Sequence, residues 1–150
     1  MTSKQAVKNF LAQRTVALVG LSRSGQSFSN MVYKDLKTKG YRLFAINPNA
    51  ETIESEKCYP SVTALPEKVE SAVFFTPPAE TEKAVRDAIA AGVRHLWLQQ
   101  GAESAGALRA CQEGNVNVVS GECIMMFSEP VAFMHQPHRW IWGLLGKLPR

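Results

Sequence analysis

Short apolar runs alternate with amphipathic stretches along this chain, and the alternation predicts its architecture. A short helix over about 3–13 leads to an apolar run, "TVALVG" (15–20), that reads as a buried strand entering a glycine turn. A helix over about 27–39 follows, closed by Gly40 after Lys37 and Lys39. The second strand is "YRLFAIN", and Pro48 forbids further pairing in the turn "NPNA". The stretch "ETIESEKCYPSVTALPEKVE" is polar and broken by two prolines, so it predicts a loop with at most a short strand and one helical turn. "SAVFFT" (71–76) is a third core strand ended by Pro77 and Pro78. "AETEKAVRDAIAAG" then sets Ala84, Val85, Ala88 and Ile89 on one helical face, "RHLWLQ" is a fourth strand, "ESAGALRACQEG" a helix and "VNVVS" a fifth strand.

Strands separated by helices of this length form right-handed βαβ units. The expected fold is therefore α/β: a Rossmann-like, doubly wound, mainly parallel five-stranded sheet with helices on both faces. Ligands of such sheets bind beyond the carboxyl ends of the strands, near the point where strand order reverses. The segments just after the strands fit that place: "GLSRSG", "NPN", "TPP", "QQGAE" and "GEC" are rich in Gly, Pro and small polar residues. Gly20 permits a sharp turn and Gly25 a close approach of the following helix, so backbone N–H groups and the helix dipole can face a phosphate. Ser22 stands where a dinucleotide fingerprint has its middle glycine, and its hydroxyl can donate to a phosphate oxygen. NAD enzymes carry an acid about 20 residues further on to hold the ribose diol. This chain has Asn47 there, which disfavours NAD.

Composition narrows the class. A chain of 150 residues is expected to form one main domain, set at 1–127, with an aromatic, basic tail at 128–150. The net charge of +4 sits at the ends: residues 1–14 and 130–150 each hold three basic residues and no acids, leaving eleven basic against thirteen acidic residues between them. A nucleic-acid surface needs clustered cations on one element, so no nucleic acid is expected. Three cysteines without a C-x-x-C suit a reducing compartment. The opening "MTSKQAVKNFLAQR" lacks the apolar core of a secretory signal, and no stretch reaches the ~20 apolar residues of a membrane span. A cytoplasmic protein is expected.

Six segments together carry a resemblance: "VGLSRSG", "GYRLFAINPN", "EKCYPSV", "FFTPPAE", "GVRHLWLQQGAE" and "VVSGECIMM". Over about residues 13–125 the chain resembles the small single-domain CoA-binding proteins of the YccU-like type, whose fold matches the CoA-binding domain of the succinyl-CoA synthetase alpha subunit. The resemblance implies CoA or acyl-CoA as the cofactor. It implies that Gly20, Leu21, Ser22 and Arg23 face the diphosphate, with Gln26, Ser27, Phe28 and Asn30 around the mouth of the helix. Asn47 and Pro48 would lie against the adenosine, and Lys57 would partner a phosphate. Thr76, Pro77 and Pro78 would pack on the cofactor, and Gln99, Gly101 and Ala102 would wall the pantetheine. Two segments depart from the family pattern: "SFSN" replaces a Pro-Ser-Tyr run, and "FTPP" replaces an arginine-bearing loop.

No catalytic constellation or metal site is expected. His95 reads as a strand-end or core residue, and Cys58 and Cys111 as packing residues, although Lys57 would lower the Cys58 pKa were that thiol exposed. His135 and His138 are three apart, but Pro137 breaks a helical alignment. The tail, with Trp140, Ile141, Trp142, Leu144 and Leu145, is expected to pack on the domain, on a second copy or on a protein partner. The reading is thus a CoA-binding protein that holds the ADP moiety at the carboxyl edge of the sheet. Its alternatives are an NAD(P)-binding small oxidoreductase and an interaction module with a vestigial nucleotide pocket.

Overall fold

The computed structural model describes residues 4–124. The 128–150 tail, with His135 and His138, lies outside the described residues, and so does the boundary drawn at 127. The elements run in the order α1 (Lys4–Leu11), β1 (Thr15–Val19), α2 (Phe28–Thr38), β2 (Arg42–Ile46), β3 (Thr52–Ile53) and β4 (Glu56–Tyr59), then a 3-10 turn at Val62–Ala64. They continue with β5 (Ser71–Phe74), α3 (Pro78–Ala90), β6 (His95–Gln99), α4 (Ala105–Glu113) and β7 (Asn117–Glu122).

The sheet has seven strands in the order β3-β4-β2-β1-β5-β6-β7, parallel throughout except for the antiparallel β3–β4 pair. The α/β, doubly wound class is as expected, and the count of five is corrected to seven. Both extra strands come from the segment expected to be mostly loop. Glu54 and Ser55 adopt φ of 55° and 64°, the left-handed pair that closes a two-residue hairpin. Chain reversal lets β4 run parallel to β2, pairing Ala45 with Cys58 and Ile46 with Tyr59. The helical turn expected in that segment is the one at Val62–Ala64.

Strand residues split between two apolar layers because successive side chains point to opposite faces. Val16 and Leu18 of β1 join Phe10 of α1 and Val32 and Leu36 of α2, whereas Ala17 and Val19 join Val85 and Ala88 of α3 and Ala107 and Ala110 of α4. Trp97 is fully buried in the first layer, edge-on to Phe10 with ring centroids 5.3 Å apart, a contact that contributes about 0.5–1.5 kcal/mol beyond its buried area. Its indole N–H donates to the Glu122 carbonyl at 3.0 Å, so the bulky ring leaves no donor unmet. Asn117 Nδ2 donates to the Ala6 carbonyl at 2.9 Å and fastens α1 to β7. His95 opens β6 half-buried, its Nδ1 buried with no hydrogen-bond partner.

Strand order reverses between β1 and β5. After β1 the chain travels outward through β2 and the hairpin, then returns to the other flank of β1 as β5. The segments following β1 and β5 therefore diverge, and a crevice opens above the strands' carboxyl ends.

Candidate functional site

Gly20 sits at that reversal. Its N–H donates to the Ile46 carbonyl at 3.1 Å, while Phe75 N–H donates to the Val19 carbonyl at 2.9 Å, so the ends of β1, β2 and β5 are laced together. Gly20 has φ +86°, and a Cβ there would stand 3.2 Å from both the backbone nitrogen and the Cγ2 of Thr76. Glycine is thus required twice, by backbone conformation and by the proximity of the β5 loop.

Beyond Gly20 the loop is closed by its own side chains. Ser22 N–H donates to Ser29 Oγ at 3.0 Å, Ser24 N–H to Ser22 Oγ at 3.1 Å, Gln26 N–H to Ser24 Oγ at 3.1 Å and Ser27 N–H to Asn30 Oδ1 at 3.2 Å. Short hydroxyl-bearing side chains favour such local bonds over helix, which is why α2 begins at residue 28. Asn30, 1% exposed, also donates from Nδ2 to the Ser22 carbonyl at 2.9 Å. Asn47 ties the loop to the next strand end: its Nδ2 donates to the Leu21 carbonyl at 2.9 Å and its Oδ1 accepts from Asn49 N–H at 2.8 Å. Arg23 spans the same gap from above, Nη1 donating to the Asn49 carbonyl at 3.2 Å.

Two clefts flank this junction. The larger, about 510 Å³, lies between the ends of β1 and β2 and the first turns of α3; Asn47, Pro48, Ser61 and Val62 stand on one side, and Glu80, Lys83 and Asp87 on the other. The smaller, about 440 Å³, lies between the start of α2 and the β6 loop, lined by Ser22, Ser27, Phe28, Gln99, Gly101 and Ala102 among others. Gly20, Phe75, Thr76 and Pro77 line both, so the clefts are two adjoining lobes with these four residues as the saddle between them. Both volumes fall in the ~300–1,000 Å³ range of small-molecule sites. The larger lobe carries charge, with Lys83 Nζ 3.3 Å from Asp87 Oδ2, whereas the smaller is lined by uncharged polar and apolar groups.

The sequence-predicted residues divide among these places. Gly20, Asn47, Pro48, Thr76 and Pro77 line the larger lobe; Gly20, Ser22, Ser27, Phe28, Thr76, Pro77, Gln99, Gly101 and Ala102 line the smaller. Arg23 and Gln26 belong to the exposed loop beside them, and Pro78 is the first residue of α3. Leu21 is fully buried, backbone included, and lines neither lobe, and Asn30 is buried beneath the loop. Lys57 is not brought to this edge: it lines a separate cavity beside Tyr33 and Arg42. Sequence reasoning missed Ser61 and Val62, which follow the unrecognised β4 as the other lining segments follow their strands. It also missed the α3 face formed by Glu80, Lys83, Ala84 and Asp87, whose helical spacing was the available signal.

Neither of the two buried cysteines is an activated thiol. Burial pushes the Cys58 thiol up from its ordinary range, so neighbouring Lys57 does not activate it. Burial likewise pushes Cys111 to about 11. The Glu122 carboxyl, at the end of β7, is also raised by burial.

Comparison with known proteins adds three findings. The CoA binding domain family matches residues 14–129. The ADP-forming acetate–CoA ligase I of Archaeoglobus fulgidus is 25% identical over 129 residues, which cover 79% of this chain and 19% of the ligase, so the chain spans about a fifth of that relative's length. Among solved structures, a conserved hypothetical protein from Pyrococcus furiosus is 40% identical with a TM-score of 0.70, covering 74% of this chain and 96% of that one. A hypothetical protein from Pyrococcus horikoshii is 30% identical with a TM-score of 0.79, covering 85% and 90%.

Proposed function

The chain belongs to the CoA binding domain family, and from that premise we propose that it holds coenzyme A, free or acylated, across the two lobes at the carboxyl edge of the sheet. The observation that carries the reading is the saddle: one glycine, pressed against Thr76, lets a single extended ligand cross between a charged lobe and a neutral one. The adenosine and its phosphates occupy the larger lobe against Asn47 and Pro48. The diphosphate crosses beside Gly20 and the serine loop, and the pantetheine arm, whose amides are neutral and polar, lies along Gln99, Gly101 and Ala102. Lys83 is the cation among the lining residues, and in this reading it meets the phosphate on the ribose, the role the sequence reading gave Lys57. At the end of β2, where an NAD enzyme carries its carboxylate, stands the Asn47 amide, already bonded at both its ends, which weighs against an NAD ribose diol there. Binding without turnover, in a reducing cytoplasm, completes the proposal; all three cysteines are free thiols, and no helix of the described residues is long and apolar enough to cross a membrane.

Native mass spectrometry and calorimetry of the full chain with CoA, acetyl-CoA, dephospho-CoA, NAD and NADP test it. One CoA or acetyl-CoA per chain, in preference to either nicotinamide nucleotide, is expected. Preference for NAD or NADP would point to the oxidoreductase reading, and no adduct at all to an interaction module; either overturns the proposal. Lys83→Ala is expected to weaken CoA several-fold more than dephospho-CoA, and equal losses would remove Lys83 from the ribose phosphate.

A further inference from the structure

Phe28, the first residue of α2, stands at the rim of the smaller lobe: it lines that lobe and is nevertheless 45% exposed. Met31, 55% exposed, follows three residues later and is its neighbour on the helix surface, because residues i and i+3 share one side of a helix. Large apolar side chains exposed among the described residues are Phe28, Met31 and Leu108; the first two sit side by side, and Leu108 is on α4. The core side of the helix is Val32, Tyr33 and Leu36. Buried Ser29 and Asn30 fix its start to the preceding loop, Ser29 Oγ accepting from Ser22 N–H at 3.0 Å and Asn30 Nδ2 donating to the Ser22 carbonyl at 2.9 Å. Phe28 is thus held at the rim by a fixed helix start, and Met31 extends its apolar surface outward from the lobe.

That surface is short and specific in its chemistry. Lys34 and Asp35, the next residues on the same side, are charged. The lobe itself has no charged lining residue. We propose, resting on the reading that the pantetheine arm occupies this lobe, that the chain selects CoA thioesters of linear, uncharged acyl groups of medium length, the acyl chain lying over Phe28 and Met31. A free thiol leaves both side chains in water. An acyl group that ends in a carboxylate brings a charge for which the lobe holds no cation. Methionine suits the role, since its unbranched thioether adapts to a chain laid against it. Three residues of helix rise about 4.5 Å, which with the girth of the two side chains serves a chain of about six carbons. A longer chain runs onto Lys34 and Asp35.

Calorimetry of the full chain with CoA and its acetyl, butyryl, hexanoyl, decanoyl and succinyl thioesters tests the selection. A methylene laid on a half-open surface gains about two-fold in affinity, from half the free energy of full burial. Hexanoyl-CoA is therefore expected to bind at least about ten-fold tighter than acetyl-CoA, decanoyl-CoA to add little more, and succinyl-CoA to fall below butyryl-CoA. Met31→Gln is expected to remove most of the gain with chain length while leaving CoA affinity unchanged, and Met31→Leu to keep the gain. In Phe28→Ser the ratio of hexanoyl-CoA to acetyl-CoA affinity is expected to fall as well. By NMR, the Met31 methyl resonance, assigned through its loss in Met31→Gln, is expected to shift with hexanoyl-CoA and not with CoA. Equal affinity for acetyl and hexanoyl thioesters, a gain that survives Met31→Gln, or an unmoved Met31 methyl overturns the proposal. A dimer of the parent chain that Met31→Gln disperses in light scattering also overturns it, by assigning the surface to a second copy. CoA binding without a chain-length gain sinks this inference alone, whereas no binding of CoA or any thioester sinks the reading on which it rests.

Discussion

Gly20 concentrates two demands on one residue, and its replacement separates them from the rest of the fold. Gly20→Ala must hold a Cβ at φ +86° and 3.2 Å from a backbone nitrogen, which costs about 1–3 kcal/mol. Urea denaturation is expected to show that loss, and CoA binding to fall with it as the saddle shifts; an unchanged midpoint would mean that the β5 loop yields freely. His95 supplies a prediction in pH. Burial holds its imidazole below the ordinary range, against a smaller opposing pull from Glu70. The unfolded chain takes up a proton near pH 6.5 while the folded one waits for lower pH, so the unfolded state binds more protons in that window and stability falls as pH drops below about 6.5. His95→Gln is expected to flatten the thermal midpoint between pH 7.5 and 5.5 relative to the parent, and parallel curves would discard the effect. Gly20, Asn47, Thr76 and Pro77 were legible because residues that immediately follow apolar runs must lie at a sheet edge. Leu21 and Lys57 were not: one lies in that same loop but turns its side chain into the core, and the other sits on a strand too polar to be read as one.

Elements were legible in proportion to their apolar continuity. β1, β5 and β6 are almost wholly buried on both faces, and each contains an unbroken apolar run, Val16–Val19, Ala72–Phe74 and Leu96–Leu98. β3 and β4 turn only Ile53 and Cys58 fully inward, and their hairpin is closed by Glu54-Ser55 rather than the Asn-Gly that marks such turns. That closure is suboptimal: two side-chain-bearing residues sit at positive φ, and Glu54 Oε2 is buried without a partner. The double substitution Glu54→Asn, Ser55→Gly is therefore expected to raise stability by about 0.5–1 kcal/mol by denaturant titration, even though it gives up the 3.8 Å contact with Lys34. At the other flank, Ser104 caps α4 by accepting from Ala107 N–H at 3.1 Å. Ser104→Ala is expected to cost about 1 kcal/mol. A neutral result would show that packing against α3 alone holds the helix start.

Across the whole molecule the cysteines report global opening. Cys58 and Cys111 are buried and Cys123 is half-buried, so a thiol reagent is expected to label Cys123 first and the other two only as the sheet opens. CoA at 100 times its dissociation constant would add about 2.7 kcal/mol to stability and slow labelling of the buried pair accordingly. Equal labelling rates for all three would contradict the two-layer core. The doubly wound plan and the carboxyl-edge location of the site followed from strand–helix alternation; the division of that site into two lobes did not, because it depends on how closely two distant loops approach. That approach carries a last consequence. A saddle built from the same four residues on either side means that the lobes share their floor, so a nucleotide fragment in one half and a pantetheine fragment in the other would each fix Thr76 for the other. Adenosine 3′,5′-bisphosphate and pantetheine should then assemble cooperatively on this chain, each raising the other's affinity without any motion travelling between distant sites.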